Sequence, residues 1–202
     1  MIQDALGLSE DIKEQADHLA RAGYVAFAPD LYSGRGIRCV VATLQSSRTG
    51  KGQAYEEIAA ARRFLAEQPE CGGRIGIIGF CMGGSFAMMC APRGEFDASS
   101  VNYGEVPKDV QRLAGACPVV GSFGGRDISL RGRAQRLESA LDELRIAHDV
   151  KEYPGAGHSF MNHLKAGPMP TSLIEFVGLG YNAEATEDAW GRILAFFAEH
   201  LS

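Results

Sequence analysis

The run Arg74-Ile75-Gly76-Ile77-Ile78-Gly79-Phe80 constrains this chain more than any other stretch. It has the length of a strand, and its apolar residues do not alternate with polar ones, so both of its faces must be buried. It passes with almost no loop into Cys81-Met82-Gly83-Gly84 and a helical stretch reaching about Cys90. A strand buried on both faces and followed at once by a helix belongs inside a parallel sheet with helices on each side.

The remainder of the chain supplies the other layers. Ser9 is placed to cap a helix running to about Ala22, with Ile12, Ala16 and Leu19 on one face. Tyr24-Val25-Ala26-Phe27-Ala28, closed by Pro29-Asp30, reads as a second buried strand. Residues 31–51 lack a clear period and are expected to form a long loop. Arg48-Thr49-Gly50-Lys51-Gly52, at its end, lacks the spacing of a phosphate-binding loop and reads as a flexible loop. Residues 53–68 read as a helix with Ile58, Ala61, Phe64 and Leu65 as its stripe. Further strands are expected at 99–103, 117–123 and 147–153, and further helices at 134–144 and 183–201. With 202 residues, 46% of them hydrophobic, this alternation fits a single α/β domain spanning 1–202.

Charge and cysteine usage remove several classes of function. A net charge of −5 gives no general attraction to nucleic acid or to an anionic membrane. No apolar run approaches the length of about 20 residues that spans a bilayer. No secretory leader opens the chain, so a cytoplasmic location is expected. Five scattered cysteines (Cys39, Cys71, Cys81, Cys90 and Cys117) with no C-x-x-C pair suit neither a disulfide framework nor a zinc site. A small-molecule substrate, with no metal and no cofactor, is the expectation.

In a parallel sheet the loops after the strands converge on one edge, where open α/β sheets carry their sites. The residues just after the expected strands are Asp30, Cys81, Asp127 and His158. Gly79-Phe80-Cys81-Met82-Gly83 is G-x-C-x-G, the cysteine version of the nucleophile elbow. Such an elbow sets the sulfur at a helix N-terminus, which favours a thiolate, and points the Met82 N–H toward a developing oxyanion. His158, in the turn Pro154-Gly155-Ala156-Gly157-His158, can reach the thiol as a base. Asp127, after Gly124-Gly125-Arg126, can orient the imidazole. Each of these residue types also has a purely structural use. The order Cys81, Asp127, His158 on three strand ends is far more specific than any one of them.

These residues resemble the dienelactone hydrolase family of the α/β-hydrolase superfamily. The matching stretches are Asp4-Ala5-Leu6-Gly7-Leu8, Gly23 through Tyr32, the Gly79–Gly84 elbow, Gly125-Arg126-Asp127 and Gly155-Ala156-Gly157-His158-Ser159-Phe160. The resemblance implies an α/β-hydrolase-like, mostly parallel sheet with helices on both faces. It implies opening of a lactone or a small carboxylic ester through an acyl-cysteine intermediate. Cys81 is then the nucleophile, His158 the base and later the acid, and Asp127 its orienting partner. The backbone N–H groups of Met82 and Ala5 form the oxyanion hole. Asp4 stands where the family has a Glu that contacts the resting thiol. Asn162 stands where the family has an arginine that holds the substrate, and Phe160 and Tyr103 are candidate walls of the pocket. The family's strands ahead of the oxyanion loop are absent or reduced to Met1-Ile2, so a trimmed sheet or a partner-covered edge is expected there. A monomer or homodimer is expected.

Two other readings fit parts of the pattern. Glutamine amidotransferase-like cysteine hydrolases also carry a Cys elbow, but with the acid close after the His; here that acid would be Glu175. An inactive, binding-only α/β-hydrolase module is the other.

Overall fold

The computed structural model describes residues 1–32, 36–163 and 180–202. Glu175 lies outside the described residues. Four parallel strands, β1 (Gly76–Phe80), β2 (Ala98–Asn102), β3 (Val119–Gly124) and β4 (His148–Tyr153), lie side by side in chain order. The helices are α1 (Glu10–Arg21), α2 (Ile37–Thr49), α3 (Gln53–Ala66), α4 (Met82–Cys90), α5 (Arg133–Glu143) and α6 (Ala183–Leu201).

The strand alternation of β1 shows how the layers are arranged. A Cβ at Gly76 would meet Leu201 and Phe197 of α6, and Phe80, of the same parity, packs beside Trp190 of α6. Gly79, of the opposite parity, faces Gly83 of α4. Successive residues of a strand point to opposite faces, so α4 and α6 cover the two sides of the sheet. In β3 Gly121 faces Leu137 of α5, while the Ser122 hydroxyl meets Arg192 of α6. Helices on both faces explain why the side chains of β2 and β3 are buried along their whole length.

Local signals account for most element ends. Ser9 caps α1 by accepting from the Ile12 N–H, and Glu10 and Asp11 in the first turn complement the helix dipole. Among the described residues, no helix is long and apolar enough to cross a membrane.

Two expectations fail. Tyr24 to Ala28 forms no strand, and Val25 is 42% exposed. Its neighbour toward β1 is Met1-Ile2. The Met1 amino group donates to Phe27 O at 2.7 Å, and the Ile2 N–H donates to Ile78 O at 2.7 Å. The Ile2 contact is an isolated bridge to Gly79 and the Met1 contact a single bond, whereas a strand needs a repeating ladder. Residues 31–51 are not one long loop, because α2 occupies 37–49 and ends at Gly50 in the left-handed region (φ 76°). Its polarity is inverted: Thr43, Ser46 and Ser47 are buried, while Val41 and Leu44 are exposed. Ser46 and Ser47 satisfy their hydroxyls on the carbonyls of Ala42 and Leu44 within the helix. A hydrophobic-periodicity reading has no purchase on such a helix.

Candidate active site

The elbow at the end of β1 is built by close backbone approach. A Cβ at Gly79 would lie 2.0 Å from the Gly83 carbonyl oxygen, and one at Gly83 would lie 2.2 Å from the Ile2 carbonyl oxygen. Only glycine permits strand, helix and the Met1–Gln3 segment to meet there. The turn places Cys81 at φ 54° and ψ −113°, a region non-glycine residues rarely occupy. Strain of this kind costs on the order of 1–3 kcal/mol and persists only where surrounding structure enforces it. Here the Cys81 N–H donates to Asn102 O at 3.0 Å, and the Cys81 carbonyl accepts from the Ser85 N–H at 3.1 Å.

The structure brings Cys81, His158 and Asp127 together from three strand ends. His158 Nε2 lies 3.1 Å from Cys81 Sγ, and His158 Nδ1 lies 2.6 Å from Asp127 Oδ2. The other Asp127 oxygen accepts from the Ser129 N–H at 2.9 Å, the Ser129 hydroxyl at 2.5 Å and the Leu130 N–H at 3.3 Å. Burial works to raise the Asp127 pKa, but the bonds from His158 and Ser129 outweigh it and hold the carboxyl below its ordinary value. Burial likewise opposes charge on His158, yet its bonds to Asp127 and Cys81 win and push it up to about 10.

Met82 and Ala5, the two expected oxyanion donors, line one cleft of about 260 Å³ with Cys81 and His158. Met82 is the first residue of α4, so its N–H has no carbonyl to reach within the helix. Tyr32, to which the sequence reading assigned no role, ties the two donor segments. Its hydroxyl donates to Ala5 O at 2.9 Å and lies 3.8 Å from Met82 Sδ. The same cleft holds Arg48 and Leu44 from the unforeseen α2, and Glu105, whose carboxylate pairs with Arg133 at 2.6 Å. No local pattern flagged Leu44 and Arg48, because α2 itself was invisible to periodicity.

Four site expectations need correction or adjustment. Asp4 does not bond to Cys81; its carboxylate accepts from the Leu6 N–H at 2.7 Å and closes its own turn. Burial raises the Asp4 pKa, with the Leu6 bond opposing and Asp11 adding to the rise. The shorter Asp side chain is captured locally, whereas the thiol takes His158 as its partner. Phe160 and Asn162 do not line the cleft; both are fully buried. Phe160 is wedged between Tyr103 and Tyr153, and Asn162 bonds to Tyr103 and Asp11. Tyr103 does border the cleft, but only 1% of it is exposed, and its ring meets His158 edge-on at 5.5 Å.

A parallel sheet covered on both faces, with a residue on a sharp strand-to-helix elbow at its carboxyl edge, defines an α/β hydrolase. The comparisons with known proteins narrow the class. The model of the dienelactone hydrolase family matches residues 1–201, so the chain belongs to that family. A relative from Saccharolobus solfataricus, which bears the provisional name carboxymethylenebutenolidase, is 27% identical over 97% of this chain and 86% of its own length. The solved protein m3DLH is 26% identical with a TM-score of 0.76, covering all of this chain and 85% of that one. A dienelactone hydrolase-like promiscuous phosphotriesterase from metagenomic libraries superposes with the same TM-score and coverage at 22% identity, and it speaks to the fold alone. The chain is a hydrolase of the dienelactone hydrolase family.

Proposed function

We propose that this enzyme opens a small lactone or carboxylic ester by nucleophilic attack of Cys81, with His158 as proton carrier and Asp127 as its orienting partner. The observation that carries the reading is the position of His158, with one ring nitrogen on Cys81 and the other on Asp127. A histidine pushed up to about 10 holds its proton at neutral pH, so Nδ1 donates to Asp127 and Nε2 to the sulfur.

In the first half-reaction Sγ bonds to the acyl carbon. The carbonyl oxygen becomes an oxyanion held by the N–H groups of Met82 and Ala5. Collapse breaks the bond to the leaving oxygen, which takes the Nε2 proton. In a lactone that hydroxyl remains tethered to the acyl chain. His158, now neutral, accepts a proton from water as the water oxygen attacks the thioester. The second collapse expels the sulfur and regenerates the starting pair. Arg48 in the cleft offers a cation to a substrate carboxylate. The unbridged thiols of Cys39, Cys71, Cys81, Cys90 and Cys117 support a reducing, cytoplasmic setting.

The test is hydrolysis of p-nitrophenyl acetate and a panel of lactones by the parent, Cys81→Ala and Cys81→Ser. Turnover should fall by about three orders of magnitude or more in both variants. Equal turnover by parent and Cys81→Ala refutes the nucleophile assignment.

A further inference from the structure

We propose that Asp11, Asn162 and Tyr103 form a buried strut that positions His158 between Cys81 and Asp127. This inference rests on the reading of His158 as the proton carrier. The Tyr103 ring meets the His158 imidazole edge-on, with centroids 5.5 Å apart and planes at 63°. Behind that contact the Tyr103 hydroxyl donates to Asn162 Oδ1, and Asn162 Nδ2 donates to Asp11 Oδ2. The second Asp11 oxygen accepts from the His163 N–H at 2.7 Å. Tyr103 and Asn162 are sealed from solvent.

The polarity of this chain of bonds has one solution. Burial lifts the Tyr103 hydroxyl well above its ordinary pKa, so it stays protonated and donates. Asp11 accepts from both of its partners. An asparagine amide, acceptor at one end and donor at the other, fits between them. Asn162 is also bound to the catalytic loop by a short turn, since its N–H donates to Ser159 O at 2.9 Å. Ser159, directly after His158, sits at φ 59° and has little freedom to relax. Holding Asn162 therefore holds the backbone that carries His158.

Helix α1 is the fixed end of the strut. Besides Asp11, it contributes Gln15, whose Nε2 donates to Met161 O at 2.7 Å. The helix begins directly after the segment that carries Ala5. One helix thus places the oxyanion loop and the histidine loop relative to each other. The titratable and charged groups around His158 are Asp127 and Cys81 on its two nitrogens and Tyr103 on its ring, with Glu105 and Arg48 in the same cleft. Asp11, Asn162 and Tyr103 are positioning residues: they act through His158 and not on substrate.

The experiment uses the full chain. Hydrolysis of p-nitrophenyl acetate gives kcat and KM, and iodoacetamide alkylation of Cys81 is followed from pH 5 to pH 9, with Cys81→Ala as background. Asn162→Asp sets a second carboxylate against Asp11. It should lower kcat by about tenfold to a hundredfold, the scale of a misplacement near 1 Å, with KM nearly unchanged. It should also displace the pH profile of alkylation, because His158 no longer meets Sγ squarely. Tyr103→Phe, a milder change that keeps the ring, should move kcat and the profile in the same direction. The double variant Asp11→Asn/Asn162→Asp again faces every donor with an acceptor and should recover most of the loss. The proposal is overturned if Asn162→Asp or Tyr103→Phe keeps the parent kcat and alkylation profile while only the melting temperature falls. It is equally overturned if the double variant is no better than Asn162→Asp. Failure of the underlying reading looks different, because the parent's turnover would then not depend on Cys81 at all.

Discussion

The elbow glycine offers the sharpest test of how the fold makes the site. In Gly79→Ala the new Cβ would sit 2.0 Å from the Gly83 carbonyl oxygen and 2.1 Å from its carbon. Real Cβ contacts essentially never fall below 3.0 Å, so the first turn of α4 must move by at least 1.0 Å. The obstacle is backbone and cannot swing aside as a side-chain tip can. Overpacking of this kind costs about 1–3 kcal/mol. For a chain of this size that lowers Tm by about 2–12 °C. The displaced turn carries Cys81 and the Met82 N–H, and a shift near 1 Å at reacting groups costs about a hundredfold in rate. Thermal melts by circular dichroism and p-nitrophenyl acetate kinetics read the two effects separately. A Gly79→Ala enzyme with parental Tm and parental kcat/KM would refute the claim that this close approach sets the nucleophile.

Three further outcomes follow from other contacts. Gly191 lies inside α6, and a Cβ there meets nothing within 4 Å, so Gly191→Ala should stabilise by about 0.5–1 kcal/mol and raise Tm; a lower Tm contradicts the packing described for α6. Tyr32→Phe removes the bond to Ala5 O, a contribution of about 0.5–1.5 kcal/mol, and should lower kcat by about twofold to tenfold; unchanged kinetics would remove Tyr32 from the site. Asp127→Asn breaks a largely buried pair and should cost about 3 kcal/mol, near the lower end for such pairs because His158 keeps some solvent contact. His158 is raised from 6.5 to about 10 by the fold, so its stabilisation is complete below about pH 6.5 and is lost as pH rises through 10. Asp127 is lowered from 3.8, so its share is present above that value and is lost in acid. The Tm gap between parent and Asp127→Asn should therefore be widest near pH 5–6 and shrink toward pH 10; a gap that widens toward pH 10 reverses the sign argued here.

Several parts of this protein were legible from residues alone. The apolar run before Cys81, the caps and glycine stops, and the order of Cys81, Asp127 and His158 are local or short-range signals. Each reflects a backbone requirement that few residue types meet, such as the glycines at 79 and 83 beside crossing backbones. The α/β alternation followed from the same signals, since strands buried on both faces admit few arrangements. Other features have no local signature. Tyr24 to Ala28 has a strand's composition, but strand formation depends on the neighbour, and Met1-Ile2 supplies only single bonds. Helix α2 hides its polar face inward, because Thr43, Ser46 and Ser47 are buried there and two of those hydroxyls bond within the helix. The family resemblance set Asn162 where a substrate-holding arginine stands. Tertiary structure decided otherwise, since only the approach of α1 and β2 sets Asp11 and Tyr103 on either side of its amide. Sequence determines which backbone shapes and which chemical groups are available; which side chains meet, and with what polarity, depends on segments as far apart as residues 11, 103 and 162.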